Sequence, residues 1–234
     1  MNSREYARRR RTLQQQMADH SLAIVPAAPH PIRNRDVEYP YHPDSDFYYL
    51  TGFAEAEALL LLKRVGRKFT WMLFCQERNP EMEQWTGERL GTERAVTELG
   101  AHQAWPIEQW EKQLPELLTG VEQLYFNLGD NTPVEQALLK QLKQFRQRNR
   151  AGVVFPQSIH TLDPLLHEMR LIKSSAELKA MRKAATISAQ AHRHAMQQCH
   201  TGMSEQQLEG EILHQFNQQG SRTVAYDTIV AGGN

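Results

Sequence analysis

The sequence predicts an α/β fold over about residues 1–160, followed from about residue 174 by the opening of a second domain. Three short apolar runs, Ala58–Leu62, Phe69–Cys75 and Val121–Leu128, have the composition of buried strands. Helical stretches alternate with these runs, which is typical of α/β domains. Near residue 174 the pattern changes to capped helices, and no further sheet follows them.

The N-terminal region predicts a helix and then a strand. Residues 3–19 are polar with a sparse apolar side, which indicates an exposed helix. The dense basic run Arg8–Arg11 is interpreted as the solvated face of this helix. Leu22–Val25 is a short apolar run ended by Pro26 and predicts a buried strand.

The middle of the first domain predicts a hairpin and two helices. The turn Val65–Lys68 separates two of the apolar runs, so the chain is expected to form an antiparallel hairpin there. Helical material is expected at 88–100 and at 107–118. Thr132, Pro133 and Glu135 have the order of a capping box with proline in the first turn, which predicts a helix start.

The sequence also predicts the elements at the end of the first domain and at the start of the second. Val153–Phe155 predicts a short strand, and residues 161–173 are expected to form a linker. Ser174 with Glu177, and Ser204 with Gln207, are spaced as capping boxes at the starts of two helices. Residues 223–230 are expected to be the first strand of this second domain, which occupies 174–234.

Composition limits the class of protein. The 234 residues carry 27 basic and 27 acidic side chains, so the chain lacks the basic excess typical of nucleic-acid binding. Its two cysteines lie far apart, which indicates a reducing compartment. The longest apolar stretch is far below the ~20 residues of a membrane span. A cytoplasmic protein without membrane or nucleic-acid partners is therefore expected.

The ten histidines make a metal site worth considering. No zinc spacing is present, and His192 and His194 are two residues apart on a predicted helix, where they point away from each other. Asp44 and Asp46 could hold a hard cation. The same residues suit a turn with helix-cap chemistry, and this interpretation is favoured.

Two aromatic features stand apart from a simple core. Five rings lie within Tyr39–Tyr49, in a loop that either packs on its own domain or faces a partner or substrate. Trp85 lies in a very polar segment, which suits a recognition residue better than a core residue. No nucleophile with its base, and no glycine-rich phosphate loop, can be recognised.

The same segments resemble the aminopeptidase P family over nearly the whole chain. The segments that carry the resemblance are Glu38-Tyr-Pro-Tyr41, Ser45-Asp-Phe-Tyr48, Leu50-Thr-Gly-Phe53, Trp85-Thr-Gly-Glu-Arg-Leu-Gly91, His167-Glu-Met-Arg-Leu-Ile-Lys-Ser174, Gly202-Met203, Leu208-Glu-Gly-Glu211 and Tyr226-Asp-Thr-Ile-Val230. The most specific of them are the aromatic loop through Phe53 and the junction at 168–174.

The resemblance implies a creatinase-type N-terminal domain with a mixed sheet, then the opening helices and first strand of a pita-bread α+β domain. It implies an Xaa-Pro aminopeptidase, which removes the N-terminal residue of peptides with proline in second position. Two manganese ions would be held by two Asp, one His and two Glu. All five ligands are expected beyond Asn234, so this chain is expected to contain no catalytic or metal-binding residue and to be inactive alone.

The resemblance also implies roles for individual residues. Trp85 and Asp36 resemble residues that reach the substrate pocket of a neighbouring subunit, and Arg150 resembles an arginine that pairs with such an acid. Tyr226 resembles a tyrosine on the strand beside the metals. A homo-oligomer formed through the N-terminal domain follows. The alternative is a metal-free binding or assembly module, because this fold family has members without catalysis.

Overall fold

The computed structural model describes residues 3–147 and 152–232 and divides the chain into two compact units, with the boundary between Leu171 and Ile172. The helices are α1 (Ser3–Gln16), α2 (Ser45–Thr51), α3 (Pro80–Thr86), α4 (Gly91–Thr97), α5 (Trp110–Leu118), α6 (Thr132–Gln147), α7 (Asp163–Leu171), α8 (Ser175–Gln198) and α9 (Glu205–Gln218), with one 3-10 turn at Ile107–Gln109. The strands are β1 (Ser21–Pro26), β2 (Ile32–Asn34), β3 (Val37–Glu38), β4 (Leu59–Val65), β5 (Lys68–Cys75), β6 (Gln103–Pro106), β7 (Gln123–Tyr125) and β8 (Ser158–His160).

Most of the strands form one mixed sheet in the order β6-β5-β4-β1-β7-β8. Strand β1 is antiparallel to β4 and parallel to β7. Strands β4 and β5 form the predicted antiparallel hairpin, whereas β6 joins β5 and β8 joins β7 in parallel. The three apolar runs therefore lie in one sheet as β4, β5 and β7, which confirms the predicted α/β fold class.

The sheet buries apolar side chains on both faces. Along β4, Leu60 and Leu62 join a core that includes residues of α1, α2 and α7. Leu59 and Leu61 join a second core with residues of α5 and α6. Successive side chains of a strand point to opposite faces, so four leucines in a row require cover on both sides.

Helix α1 differs from its predicted character at two arginines. The interpretation of the basic run as a solvated face is wrong for Arg9 and Arg10, which are 2% and 3% exposed. Arg9 Nη1 donates to the carbonyl oxygen of Tyr49 at 3.0 Å, and Arg10 Nη1 donates to that of Leu50 at 2.8 Å. Both arginines lie one helical turn before Leu13, so they share the buried side of the helix.

The two helices of the second unit begin where the sequence predicts. At α8, the hydroxyl of Ser174 accepts from the backbone N–H of Glu177, and the Glu177 carboxylate accepts from the Ser174 N–H at 2.7 Å. At α9, Ser204 and Gln207 make the same reciprocal pair. Each box satisfies N–H groups that lack partners at a helix start.

The start of α6 is predicted correctly but its cap is not. The side chain of Asn131 accepts from the backbone N–H of Val134 at 3.2 Å. Glu135 Oε2 accepts from the backbone N–H of Gly129 at 3.0 Å. Thr132 already lies inside the helix. The capping residue is therefore one position earlier than the capping-box spacing indicates.

Other segments also depart from the sequence predictions. The strand expected at Val153–Phe155 lies instead at Ser158–His160, where it pairs with β7. Residues 223–230 form no strand, because no neighbouring strand of the described second unit offers a hydrogen-bond ladder. Residues 161–173, expected as a linker, contain α7, whose Leu166 is 1% exposed in the core of the first unit.

The second unit is built from α8 and α9. Its buried cluster consists of Ala191, Ala195 and Ile212. His194 Nε2 lies 2.8 Å from the Glu211 carboxylate and links the two helices. Large side chains of this unit that remain exposed include Leu178, Met181, Met196, Tyr226 and Ile229. Within the part of the chain that is described, no helix is both long and apolar enough to cross a membrane.

Candidate functional site

The tyrosine-rich loop after β1 folds onto its own unit through helix α2. The carboxylate of Asp44 caps this helix and accepts from the backbone N–H groups of Asp46 and Phe47 at 3.0 and 2.8 Å. Phe47 is fully buried. Gly52 ends the helix at φ 69°, and a Cβ there would collide with the ring of Tyr6. The loop is thus anchored from both ends of α2.

Most of the aromatic side chains of the loop pack internally. The guanidinium carbon of Arg9 lies 4.0 Å from the ring centre of Tyr49, whose hydroxyl donates to the carbonyl of Met169. The hydroxyl of Tyr41 donates to the carbonyl oxygen of Glu55 at 3.3 Å, and burial raises the pKa of Tyr41 to about 12. Tyr39 is about half exposed and remains available to a partner.

The carboxylates and histidines considered as metal ligands have structural partners. Asp44 is the helix cap that the sequence favoured, and Asp46 forms an ion pair with Arg170. His192 Nδ1 lies 2.8 Å from the carbonyl oxygen of Ser188. Within residues 3–147 and 152–232, no three His, Cys, Asp or Glu side chains converge in a group that could hold a metal ion.

Trp85 lies near the end of α3, a helix that the sequence did not predict. Asn79 caps α3 by accepting from the backbone N–H groups of its first turn, and Pro80 occupies the start. The helix has no buried residue, and Trp85 is 86% exposed. Met82 on the same helix is also exposed. An indole in water loses the favourable burial of its large apolar ring, so Trp85 has the exposure expected of a binding residue.

The segment after α3 is held by the half-buried carboxylate of Glu55. Glu55 Oε1 accepts from the backbone N–H of Leu90 at 2.8 Å. Burial raises the pKa of Glu55, while the hydrogen bond from Leu90 lowers it to a smaller extent. Arg94 pairs with Glu88 at 2.5 Å and with Glu98 at 2.6 Å. The chain on the C-terminal side of Trp85 is therefore fixed to the first unit.

Asp36 lies in the turn between β2 and β3. This small hairpin is exposed throughout, with Ile32 at 69% and Val37 at 51% exposure. His30 Nδ1 lies 3.0 Å from the carboxylate of Glu38 across its base. No hydrogen bond joins Asp36 to Trp85 in the described residues. The two residues lie on separate exposed elements of the same unit.

The other two predicted site residues lie elsewhere. Tyr226 belongs to the second unit, is 77% exposed and lines a cavity of about 610 Å³. Phe216, Ile229 and Ile187 line the same cavity, so its wall is largely apolar. Arg150 lies outside the described residues.

Sequence reasoning missed the buried arginines as candidate functional residues. It grouped Arg9 and Arg10 with their exposed neighbours because the run is contiguous in sequence. A helical projection would have separated them, since they are four and three residues before the buried Leu13. The burial of these arginines could therefore be predicted from their spacing to Leu13, but not from their charge.

Comparisons with known proteins agree with this architecture. The family model described as aminopeptidase P, N-terminal domain, matches residues 6–125, and the model of metallopeptidase family M24 matches residues 179–234. The Xaa-Pro aminopeptidase of Escherichia coli K12 is 39% identical over all 234 residues, which cover 53% of that protein. The Xaa-Pro aminopeptidase of Haemophilus influenzae is 35% identical, with 98% of this chain and 51% of the relative covered.

A solved structure gives the same result in three dimensions. The proline aminopeptidase P II of Yersinia pestis superposes with a TM-score of 0.92 at 42% identity, covering 97% of this chain and 52% of that one. The chain thus spans about half the length of the relatives it matches. From the match over residues 6–125, the chain belongs to the family defined by the aminopeptidase P N-terminal domain.

Proposed function

We propose that this chain is the front part of a metal-dependent aminopeptidase that releases the N-terminal residue from peptides with proline in second position. The observation that carries the proposal is the similarity to Xaa-Pro aminopeptidases along the entire chain. The match to metallopeptidase family M24 over residues 179–234 supports the same activity. A cytoplasmic location is part of this proposal and rests on the composition.

The metal of the proposed enzyme is manganese, as two ions. The described residues do not fit such a centre, because a dinuclear site needs several converging carboxylate or imidazole ligands and no group of three is present among them. The corresponding proposal is that these 234 residues alone do not hydrolyse Xaa-Pro peptides.

The contribution of the first unit would be to substrate binding in an oligomer. Trp85 and Asp36 are proposed to reach the pocket of a neighbouring subunit, with Arg150 pairing with such an acid, and Tyr226 to lie beside the metals. The 86% exposure of Trp85 supports this role, since a large indole left in water gains most by meeting an apolar surface. A homo-oligomer through the first unit follows from the same proposal.

A metal-free binding or assembly module is the second candidate. The exposed apolar side chains of the β2–β3 hairpin and of α3 favour it, because such surfaces mark interaction sites. These side chains are Ile32, Val37, Tyr39, Met82 and Trp85. The two candidates differ in whether the protein hydrolyses peptides, so the test measures turnover.

The decisive experiment compares two proteins in one peptidase assay. The 234-residue chain and the product of the reading frame continued past codon 234 are each incubated with an Ala-Pro peptide, with and without Mn²⁺. Manganese-dependent turnover is expected only from the longer product. Turnover by the 234-residue chain would contradict its proposed inactivity, and a longer product that folds but releases no residue would favour the assembly module.

Trp85 is tested in the longer product. Trp85→Ala should lower kcat/KM by more than about tenfold, because an aromatic anchor in a pocket contributes on the order of 2 kcal/mol. The melting temperature should be almost unchanged, because the side chain makes no core contacts. Met82→Ala, on the same exposed helix, is the matched control for activity. The buried Trp71 is the control for stability, since Trp71→Ala should cost about 3–5 kcal/mol. A large fall in the melting temperature of Trp85→Ala would assign that residue to the core.

A further inference from the structure

A groove beside α1 has a basic wall that the proposed peptidase function does not use. It has a volume of about 450 Å³ and lies between α1 and residues of β5 and the α4–β6 connection. Arg4, Arg10 and Arg11 of α1 line it, together with Trp71 and His102. Arg4 and Arg11 are exposed, so their guanidinium groups are free to turn toward a bound group.

Arg10 is the unusual member of this wall because its charge is buried without an acid. It is 3% exposed, and its guanidinium carbon lies 3.9 Å from the ring centre of Trp71. One nitrogen donates to the carbonyl oxygen of Leu50 at 2.8 Å, whereas Nε has no acceptor among the described residues. Burial lowers the pKa of Arg10 to about 10. The side chain is therefore still charged at pH 7 and has unused donor capacity.

The neighbouring residue Arg9, on the same helix, differs from Arg10 in having an acidic partner, the carboxylate of Glu5, which it shares with Arg8. Arg9 is equally buried, yet its Nη2 lies 3.4 Å from the carboxylate of Glu5. No described carboxylate forms such an ion pair with Arg10. A buried charge is costly unless it is paired, so a missing anion at Arg10 would be bound with a gain in free energy.

His102 adds a hydrogen-bond donor to the groove, and the acidic residue of its wall, Glu98, has an arginine partner of its own. His102 Nδ1 accepts from the backbone N–H of Trp71 at 3.1 Å, so the proton of the neutral ring lies on Nε2 and supplies another donor. Glu98 is the acidic side chain of the groove wall, but its carboxylate accepts from Arg94 Nε at 2.6 Å. Arg94 is shared with Glu88, so Glu98 keeps part of its negative charge, but the groove wall still has three arginines, Arg4, Arg10 and Arg11, against this one carboxylate.

We propose that this groove is an oxyanion-binding site in which Arg10, flanked by Arg4 and Arg11, holds a carboxylate or phosphate group. A guanidinium matches the planar oxygens of a carboxylate and the oxygens of a phosphate, and hydrogen bonds between charged groups are the stronger kind. The contact with the Trp71 ring and the hydrogen bond to Leu50 already restrict the Arg10 side chain, so little side-chain freedom is lost on binding. The site is independent of the proposed peptidase activity.

The first test is isothermal titration of the purified chain at pH 7 and constant ionic strength. Inorganic phosphate is one probe and acetate is the other, with chloride as the balancing anion. Saturable binding of one anion per chain by either probe supports the proposal, and the tighter probe identifies the preferred oxyanion. The absence of saturable binding for both probes would overturn it.

Matched variants then locate the bound anion. Arg4→Gln combined with Arg11→Gln should weaken binding roughly tenfold or more, because charge-assisted hydrogen bonds are lost at the exposed rim, where folding is not at stake. Arg146→Gln removes an exposed arginine from α6, which packs on the other face of the sheet, and should leave the affinity unchanged.

Arg10→Lys tests the central residue with its charge retained. Lysine lacks the planar, forked donor geometry of arginine, so the affinity for phosphate or acetate should fall. The urea unfolding transition followed by tryptophan fluorescence shows whether the variant is folded. If Arg10→Lys does not fold, the double variant Arg4→Gln with Arg11→Gln (the rim variant) tests the location of the site without it. Equal affinity of the wild-type chain and the rim variant would overturn the proposed site.

Discussion

The two units of the chain bury apolar surface in different ways. The first unit covers its sheet on both faces, and residues such as Leu60 and Phe74 are completely buried. The second unit is held by Ala191, Ala195 and Ile212 between two helices, while side chains such as Met196 and Ile229 stay largely exposed. Because burial of apolar area is the main favourable term in folding, local stability should differ strongly between the units.

The largest expected difference concerns the two cysteines, one in each unit. Cys75 is fully buried in the first unit, and burial raises its thiol pKa from 9.0 to about 12, whereas Cys199 is exposed in the second unit. The thiolate is the reactive form, so the raised pKa and the burial of Cys75 both make its alkylation at pH 8 much slower than that of the exposed Cys199. Timed alkylation with iodoacetamide, followed by peptide mass spectrometry, measures both rates.

The control for this comparison is the variant Cys199→Ser. It should remain unlabelled under native conditions and become labelled at Cys75 when the chain is unfolded in urea. Comparable rates for the two cysteines in the native chain would show that the first unit opens as readily as the second, and the comparison would fail.

Core truncation should also act differently in the two units. Leu60→Ala should lower the free energy of unfolding of the first unit by about 2–5 kcal/mol, because a fully buried leucine leaves a cavity. Ile212→Ala should cost less, since its cluster is small and can collapse around the gap. All four tryptophans lie in the first unit, so fluorescence in urea follows that unit, while amide exchange follows the second. If Ile212→Ala shifts the tryptophan transition as much as Leu60→Ala, the two units unfold together.

Alkaline pH should destabilise the first unit through the same thiol. The pKa of Cys75 is higher in the folded chain than in the unfolded one, so above about pH 9 only the unfolded state loses this proton. Stability present below pH 9 is therefore lost as the pH rises toward 12, by at most about 1.4 kcal/mol per pH unit for this group. Cys75→Ala should give a shallower decline in urea midpoints between pH 9 and 11. The decline should not vanish, because Tyr6 also has a pKa raised to about 12. An unchanged slope would remove Cys75 as its cause.

The smallest expected effect is at the start of α8. Ser174→Ala removes the hydroxyl that accepts from the backbone N–H of Glu177 and should cost about 1 kcal/mol of local helix stability. Ser175→Ala, one residue later and outside the capping pair, is the matched control. Amide exchange should accelerate in α8 alone, and the tryptophan transition of the first unit should not move. A shift of that transition would mean that α8 contributes to the stability of the first unit.

Local patterns in the sequence were enough to predict the central secondary structure of the first unit. The four leucines at the start of β4 and the turn before Phe69 predicted the central hairpin, because strand burial and turn chemistry act over a few residues. The capping boxes at Ser174 and Ser204 predicted two helix starts for the same reason. The family followed from the aromatic loop and the 168–174 junction, and the exposed Trp85 remains a prediction for the site.

Other features of the fold depend on contacts between residues that are far apart in the sequence. The burial of Arg9 and Arg10 depends on carbonyl groups of Tyr49 and Leu50, forty residues away in the sequence. The place of α7 in the first unit depends on Leu166 reaching a core built from other elements. The sequence alone determined the central hairpin and the helix starts at Ser174 and Ser204, where the pattern of a few neighbouring residues is sufficient. Tertiary structure decided which polar side chains are buried, because the free energy of burying a charge depends on partners that only folding brings together.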